Sequence, residues 1–281
     1  MKRLKHSKLI SLIIIIVLTL GLFLVIASGS FTSTSSDKQV SVGIVGTTDE
    51  PIWRQVNRNL KPEHIHVNVK VFTDGNAANQ STANGQLDLN SFQHYAFLRQ
   101  ENHQQHFNLK PIGQTYIMPL NVYSKKIKSL KQIKSGDKIA IPNNPTNAGR
   151  ALKVLQKAKL IKTNPSKGYL PTPHDIISNP HHIKIVEVDP ASIIKLLPNF
   201  AAGITNSNFV QANHLNPQKA AIFKISPNVH NPYNKPWINI IATKNSKKHN
   251  RTLKKVVKAY HSKSVARVIK KKYKGICYPA F

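Results

Sequence analysis

The sequence predicts an α/β protein of two lobes with a cleft between them, set behind an N-terminal hydrophobic helix. Three observations lead there. Two series of alternating strand and helix patterns follow one another along the chain. A run of extended segments from Pro111 to Tyr123 separates the two series. At 281 residues, the chain exceeds one minimal core and matches roughly two units of ordinary domain size.

Taken in order, Lys2, Arg3, Lys5 and Lys8 precede an uncharged run from Leu9 to Ala27. Those 19 residues are longer than a signal-peptide core and close to the ~20 that span a bilayer. The basic flank keeps the N-side in the cytoplasm and puts the rest of the chain outside. We read the run as a retained anchor. Cleavage is the alternative, with Val25 and Ala27, or Ala27 and Gly29, as the small residues before the cut. Ser28 to Ser36 follows as a flexible tether, so residues 1–36 form an anchor or signal segment.

Gln39 to Gly46 alternates and then turns apolar, as a buried first strand does. The pattern next predicts a helix from Glu50 to Leu60, a strand from Val67 to Phe72 and a helix from Ala77 to Asn84. A short strand within 85–90 and a helix from Phe92 to Asn102 complete the series. This strand–helix alternation predicts a mostly parallel sheet. The second series has strands at 138–141, 183–188 and 201–205, and helices at 147–160 and 191–197. A strand from Trp237 to Thr243 and one basic helix from Arg251 to Lys271 close the chain. The lobes expected from this are 37–120 with 237–281, and 121–236. Domain junctions are preferred ligand sites.

Composition excludes several functions. Cys277 is the only cysteine, which removes an internal disulfide framework and any cysteine-based zinc site. Four residues from the C-terminus, it reads as incidental. The net charge of +30 invites a nucleic-acid reading, and the last forty residues alone hold thirteen Lys or Arg. They are mostly Lys on helical faces, without the Arg–aromatic interleaving or fold motif of a recognition module, so no nucleic-acid partner is expected. A positive field suits a chain exported among anionic lipids and wall polymers. With 11 carboxylates, none paired beside a His or Asn motif, acid–base catalysis has little to work with, and no enzyme is expected. There is no phosphate-cradling glycine loop, and His181-His182 is not a chelating spacing, so neither metal nor cofactor is expected.

The most informative segment is Ile141 to Arg150, Ile-Pro-Asn-Asn-Pro-Thr-Asn-Ala-Gly-Arg. Each proline pushes its predecessor out of the helical region, so Asn144 and Pro145 are extended or in a turn. Asn147 is then the expected helix N-cap, with Arg150 in the first turn. A cation gains nothing at a helix start, where the macrodipole is already positive. An anion held by Arg150 and the free N–H groups of the turn would explain it; a solvated loop arginine is the alternative. Asn239 lies inside an apolar run, where an unbonded amide costs about 1–3 kcal/mol, so it too is a site candidate.

Three longer motifs, Ser91-Phe92-Gln93-His94, Val122 to Leu130 and Pro142 to Arg150, are followed by two shorter ones, Ile204-Thr205-Asn206 and Trp237-Ile238-Asn239. Together they resemble, in order and spacing over about residues 39 to 275, the NlpA/MetQ family of methionine-binding substrate receptors of ABC importers. The resemblance implies a periplasmic-binding-protein fold whose two lobes close on a free amino acid. It also assigns roles: Arg150 pairs the ligand carboxylate with help from Asn147. Asn206 and Asn239 hold the carboxylate and amino ends from opposite sides. Phe92 and His94 line the side-chain pocket, with Tyr116 nearby. It implies a methionine-like ligand and an ABC permease as partners; the membrane contact through the N-terminal helix comes instead from the Leu9 to Ala27 run. A guanidinium fork suits a carboxylate, amides serve both ends of a zwitterion, and aromatic edges suit a thioether.

Three positions depart from the family pattern. Ser30 stands where a lipid-bearing cysteine is usual, so the helix, not a lipid at Ser30, is the expected anchor. Gly75 follows Phe72-Thr73-Asp74 where an aromatic is usual, so one wall of the side-chain pocket is expected to be missing. Met118 replaces an aromatic or acidic residue. The expected function is an extracytoplasmic receptor for methionine or a related amino acid. The alternatives are a different ligand, such as a Met-containing dipeptide filling the room beside Gly75, or a basic cell-surface adhesin.

Overall fold

The computed structural model describes residues 37–226, 228–273 and 277–281, which belong to one compact unit, Asp37–Phe281. The expected anchor and tether, including Leu9 to Ala27, lie outside the described residues. Among those described, no helix is long and apolar enough to cross a membrane.

The first series runs β1 (Lys38–Val45), α1 (Glu50–Leu60), β2 (Ile65–Phe72), α2 (Gly75–Ala83), β3 (Leu89–Asn90), α3 (Tyr95–Gln104) and β4 (Leu109–Gln114). Two short strands, β5 (Tyr116–Ile117) and β6 (Leu120–Tyr123), carry the chain into the second series. That series is β7 (Lys138–Pro142), α4 (Pro145–Lys157), β8 (Lys162–Thr163), β9 (Ile176–Ser178), β10 (Lys184–Val188), α5 (Ile193–Leu196), β11 (Ala202–Asn206), α6 (Ser207–Ala212) and β12 (Ala221–Phe223). The chain ends with β13 (Ile240–Lys244), α7 (Arg251–Tyr260), α8 (Lys263–Tyr273) and β14 (Tyr278–Pro279).

Two five-stranded sheets result, ordered β2-β1-β3-β13-β4 and β10-β7-β11-β6-β12. In each, three neighbouring strands are parallel and the remaining two add antiparallel. The mostly parallel expectation therefore holds for the half of each sheet built by strand–helix alternation. The antiparallel edges come from strands entering by the crossings between sheets. The chain passes from first sheet to second near residues 115–119 and returns before β13.

The first sheet is covered on one face by α1, α7 and α8, where Trp53, Val56, Val256, Tyr260 and Ile269 pack on Val40, Val42 and Ile44. On its other face, Leu98 of α3 packs on Leu109, Ile240 and Ala242. In the second sheet, Ala151, Leu152 and Leu155 of α4 close on Ile139, Ile141 and Ile204. Free Cys277 is buried within the first of these cores, and burial holds its thiol well above the usual pKa.

Several boundaries differ from the sequence reading for identifiable reasons. The expected single basic helix is two, because the Ser262 hydroxyl accepts from Val265 N (3.2 Å) and starts a second helix. The helix expected from Phe92 begins at Tyr95, capped by His94. The strand expected from Trp237 begins at Ile240, after a 3-10 turn that ends at Trp237.

Candidate functional site

A cleft of about 410 Å³ lies at the carboxyl ends of the parallel strands of both sheets. Its walls are the turns leaving β1 (Thr48, Asp49), β2 (Asp74, Gly75), β3 (Phe92 to His94), β7 (Asn143 to Asn147), β10 (Asp189) and β11 (Asn206). That is where open α/β sheets place ligands, because the following helices point their N-termini there. All seven residues singled out from the sequence, Arg150, Asn147, Asn206, Asn239, Phe92, His94 and Tyr116, line this one cleft.

The turn after β7 needs a correction. The N-cap of α4 is Asn144, not Asn147: its side chain accepts from Asn147 N (3.1 Å) and from Asn147 Nδ2 (2.8 Å). Pro145 at the first helical position lacks an N–H and holds Asn144 in the extended geometry that a cap requires. Asn147 is therefore the third helical residue, and Arg150 is in the second turn. The turn's N–H groups are not free either, because Thr146 N donates to Gln100 Oε1 (3.2 Å) and Ala148 N to Asn144 O. Any anion here must be held by side chains.

Arg150 supplies the cation. One guanidinium nitrogen donates to Met118 O at 2.6 Å, and its Cζ lies 5.1 Å from the centroid of the Trp237 ring. Burial lowers its pKa to about 10, so it stays charged at neutral pH. Gly149 lets α4 seat this closely: a Cβ there would lie 3.0–3.1 Å from the backbone of Tyr169 to Pro171.

His94 Nδ1 accepts from Phe97 N (3.0 Å), which puts the ring proton on Nε2, facing Asn147 Oδ1 at 3.2 Å. Burial, then the charge on Arg150, push the His94 pKa down to about 3, so the imidazole is neutral. Asn206 Nδ2 donates to the same Asn147 oxygen (3.3 Å). Asn147 Oδ1 thus has both lone pairs engaged, and one amide hydrogen of Asn147 remains. Asn206 Oδ1 is a buried acceptor that no donor among the described residues reaches.

Asn239 corrects another expectation. It sits half-buried in an isolated antiparallel bridge with His94, just before β13, and not inside a buried strand. Its N donates to Tyr116 O and its O accepts from Thr115 N, both at 2.8 Å, so the backbone fixes where the amide enters the cleft. Tyr116 donates its hydroxyl proton to Asp49 Oδ2 (2.6 Å), and Tyr273 donates to the other oxygen of Asp49. Burial raises the Asp49 pKa, and these two hydroxyls oppose that rise.

The wall expected to be open beside Gly75 is filled. A Cβ on Gly75 would fall 2.4 Å from Cε2 of Phe92, whose ring occupies that space and meets Phe97 edge-on at 6.1 Å. Phe92 is held there by a buried amide network in which Gln93 Nε2 donates to Asn79 Oδ1 (2.6 Å) and Asn90 Oδ1 (2.7 Å). The sequence reading missed this scaffold, and it missed Asp49, Asn144 and Phe97 as cleft residues. Two of these carried a signal: Asn144 in the proline that follows it, and Phe97 in its place three positions after His94.

The cleft reverses the charge of its surroundings. Asp49, Asp74, Glu101 and Asp189, four of the chain's 11 carboxylates, line it against a single basic side chain, Arg150. Burial raises the pKa of Asp49 and of Glu101, which softens the contrast. A simple anion is poorly matched to such a field, whereas a zwitterion fits it. Among the described residues, no group of three or more His, Cys, Asp or Glu is placed to hold a metal ion.

A family model described as NlpA lipoprotein matches residues 40–281. Lipoprotein 28 of Escherichia coli K12 is 33% identical over 92% of this chain and 93% of its own. The D-methionine-binding lipoprotein MetQ of Salmonella typhimurium is 33% identical over 84% of this chain and 86% of its own. Among solved structures, a nutrient-binding protein from Burkholderia cenocepacia bound to methionine is 37% identical. It superposes with a TM-score of 0.81, covering 86% of this chain and all of that one.

Proposed function

The chain belongs to the NlpA lipoprotein family, and on that premise we propose that it is an extracytoplasmic solute-binding receptor of an ABC importer, taking methionine. Its role is capture and delivery to a membrane permease, with no chemistry performed on the ligand. Residues 37–120 with 237–281 act as one lobe and 121–236 as the other.

The observation that carries this reading is the pattern of unused hydrogen-bonding capacity in the cleft. The remaining amide hydrogen of Asn147 and the guanidinium of Arg150 are donors, suited to a carboxylate. The unpartnered Asn206 Oδ1 is an acceptor, suited to an ammonium group. Asn239 reaches the ligand from the opposite wall. His94 has both nitrogens engaged, so it meets the ligand through its ring, with Phe92 beside it, forming the side-chain pocket. Tyr116 can offer only an acceptor, because its proton goes to Asp49. The gap imagined beside Gly75 lent weight to a dipeptide, and Phe92 removes that support.

Closure is a hinge motion stabilised by bonds between the lobes, among them His94 to Asn147, Gln100 to Thr146 N and Arg99 to Tyr169 (2.9 Å). The relatives are named lipoproteins, yet the only cysteine here is Cys277. Leu9 to Ala27 therefore takes over attachment to the membrane, with the folded unit on the outer side. Native mass spectrometry of the protein purified from its host, followed by calorimetric titration with both methionine enantiomers, tests the reading. Co-purified methionine, or saturable binding of either enantiomer, is the expected result. A different co-purified molecule, with no heat from methionine, would overturn the ligand assignment.

A further inference from the structure

The positive charge of this chain is not spread evenly over its first sheet. We propose that the outer layer formed by α1, α7 and α8 is a docking surface for an anionic bilayer. One face of the sheet is covered by these three helices and the other by α2 and α3. From Arg251 to Tyr273, α7 and α8 carry nine Lys or Arg and no acid, whereas α2 on the opposite face has no charged residue at all.

The cations point outward as a set. Lys254 and Lys258 on α7, and Lys263, Arg267, Lys270 and Lys271 on α8, are all exposed and recur at three- and four-residue spacing. The alternating positions Leu253, Val256, Val257, Val265 and Ile269 are buried. Among the described residues, Lys255 is the one cation of this layer's last two helices that forms an ion pair, with Glu63. Folding does not explain the pattern. Like charges four residues apart, as in Lys254/Lys258, Lys263/Arg267 and Arg267/Lys271, disfavour a helix. A face of exposed cations over a packed core complements a surface of phosphate head groups, where each basic residue strengthens partition by roughly fivefold.

The bilayer is the occupant argued for because a basic-flanked apolar run and a short Ser/Thr/Gly tether precede the folded unit. This rests on the membrane attachment proposed above. Lying on the lipid would hold the receptor close to the membrane-embedded permease rather than free at the end of its tether.

The test uses the full-length chain with lipid nanodiscs, either zwitterionic or containing acidic lipid, and reads lysine acylation by mass spectrometry. Labelling of Lys254, Lys258, Lys263, Lys270 and Lys271 should fall at least about fivefold with acidic discs, by the single-residue factor above. It should recover in about 0.5 M salt, where screening lengths are a few ångströms. Lys157, Lys162 and Lys184, exposed on the second sheet's side, should not change. The variant K254E/K258E/R267E/K271E, altered only at exposed positions, should lose the protection at its remaining Lys263 and Lys270 while keeping wild-type methionine affinity. Co-elution with discs reads attachment separately, and a chain that fails to insert is still tested by acidic discs added in excess. Equal labelling with both disc types would overturn the proposal, as would equal protection of the second-sheet lysines. Protection by a soluble glycerophosphate polymer, but not by acidic discs, would overturn it in favour of a wall polymer.

Discussion

Replacing Arg150 by methionine keeps the bulk of the side chain over Trp237 and removes the charge. If Arg150 holds the ligand carboxylate through both arms of its fork, two charge-assisted hydrogen bonds are lost. Each contributes about 1.5–3 kcal/mol, so the loss is about 3–6 kcal/mol. At about 1.4 kcal/mol per decade, the dissociation constant for methionine should rise roughly 10²- to 10⁴-fold. The fold should suffer less. The bond to Met118 O contributes about 1.5–3 kcal/mol on the same scale, and the stacking on Trp237, at 5.1 Å, about 1–2 kcal/mol. Desolvation of the guanidinium, visible in its pKa of about 10, already works against them. Isothermal titration calorimetry gives the affinity and thermal unfolding the stability. R150K, which keeps the charge but not the fork, should fall between wild type and Arg150→Met. An affinity within about threefold of wild type for Arg150→Met would refute the carboxylate assignment, even if the protein still bound methionine elsewhere.

Two further outcomes follow from the same geometry. In Gly75→Ala, the new Cβ would fall 2.4 Å from the far edge of the Phe92 ring, so that this cleft-lining ring must shift. Affinity should drop about tenfold with a melting shift of a few degrees at most, and unchanged calorimetric titration would show that Phe92 does not border the ligand. For pH, the His94 pKa is depressed from 6.5 to about 3, so the unfolded chain binds the extra proton between those values. The stability held by neutral His94 is complete above about pH 6.5 and is lost progressively as pH falls toward 3, at about 1.4 kcal/mol per pH unit within the window. Asp49, whose pKa is raised by burial, works in the opposite sense, losing stability as pH rises above its unfolded value. The discriminating measurement is therefore the difference between wild type and His94→Gln in thermal unfolding from pH 7 to 4. The wild-type slope should be steeper, and parallel slopes would mean that His94 is not held neutral.

How much of this was legible in the sequence depends on whether the signal was local. β1, α1, β2 and β7 were readable because their apolar periodicity answers to one buried face, and the structure keeps them within a few residues. The single C-terminal helix was misread because Ser262 looks like any polar helix residue until its hydroxyl is seen taking Val265 N. The N-cap before α4 was misplaced by three residues, although the decisive fact was present. A residue before proline is held extended, and that conformation at Asn144 is what a cap needs. β12 was missed because three residues carry no readable period, and its pairing with β6 across about a hundred positions is a tertiary fact.

The site shows the same division more sharply. Residue types and motif order brought Arg150, Asn147, Asn206, Asn239, Phe92, His94 and Tyr116 together, but roles depend on which atoms are already engaged. His94 reads as a ligand-binding histidine, yet Nδ1 caps α3 and Nε2 holds Asn147, so its contribution to polar recognition is to orient another side chain. Asn147, in turn, accepts from one residue on each side of the cleft, His94 and Asn206, which leaves it only a donor for the ligand. In the proposed receptor, lobe closure and carboxylate recognition would therefore pass through one amide. On the proposed reading, the donors Arg150 and Asn147 and the acceptor Asn206 would read the groups common to all free amino acids. Discrimination among side chains would then fall to Phe92, Phe97, Met118 and Trp237, which line the same cleft. Apolar walls of that kind distinguish ligands differing by a methylene by about 1–3 kcal/mol. The polar half is consequently where loss of binding should be read, and the apolar half is where a change of ligand should be.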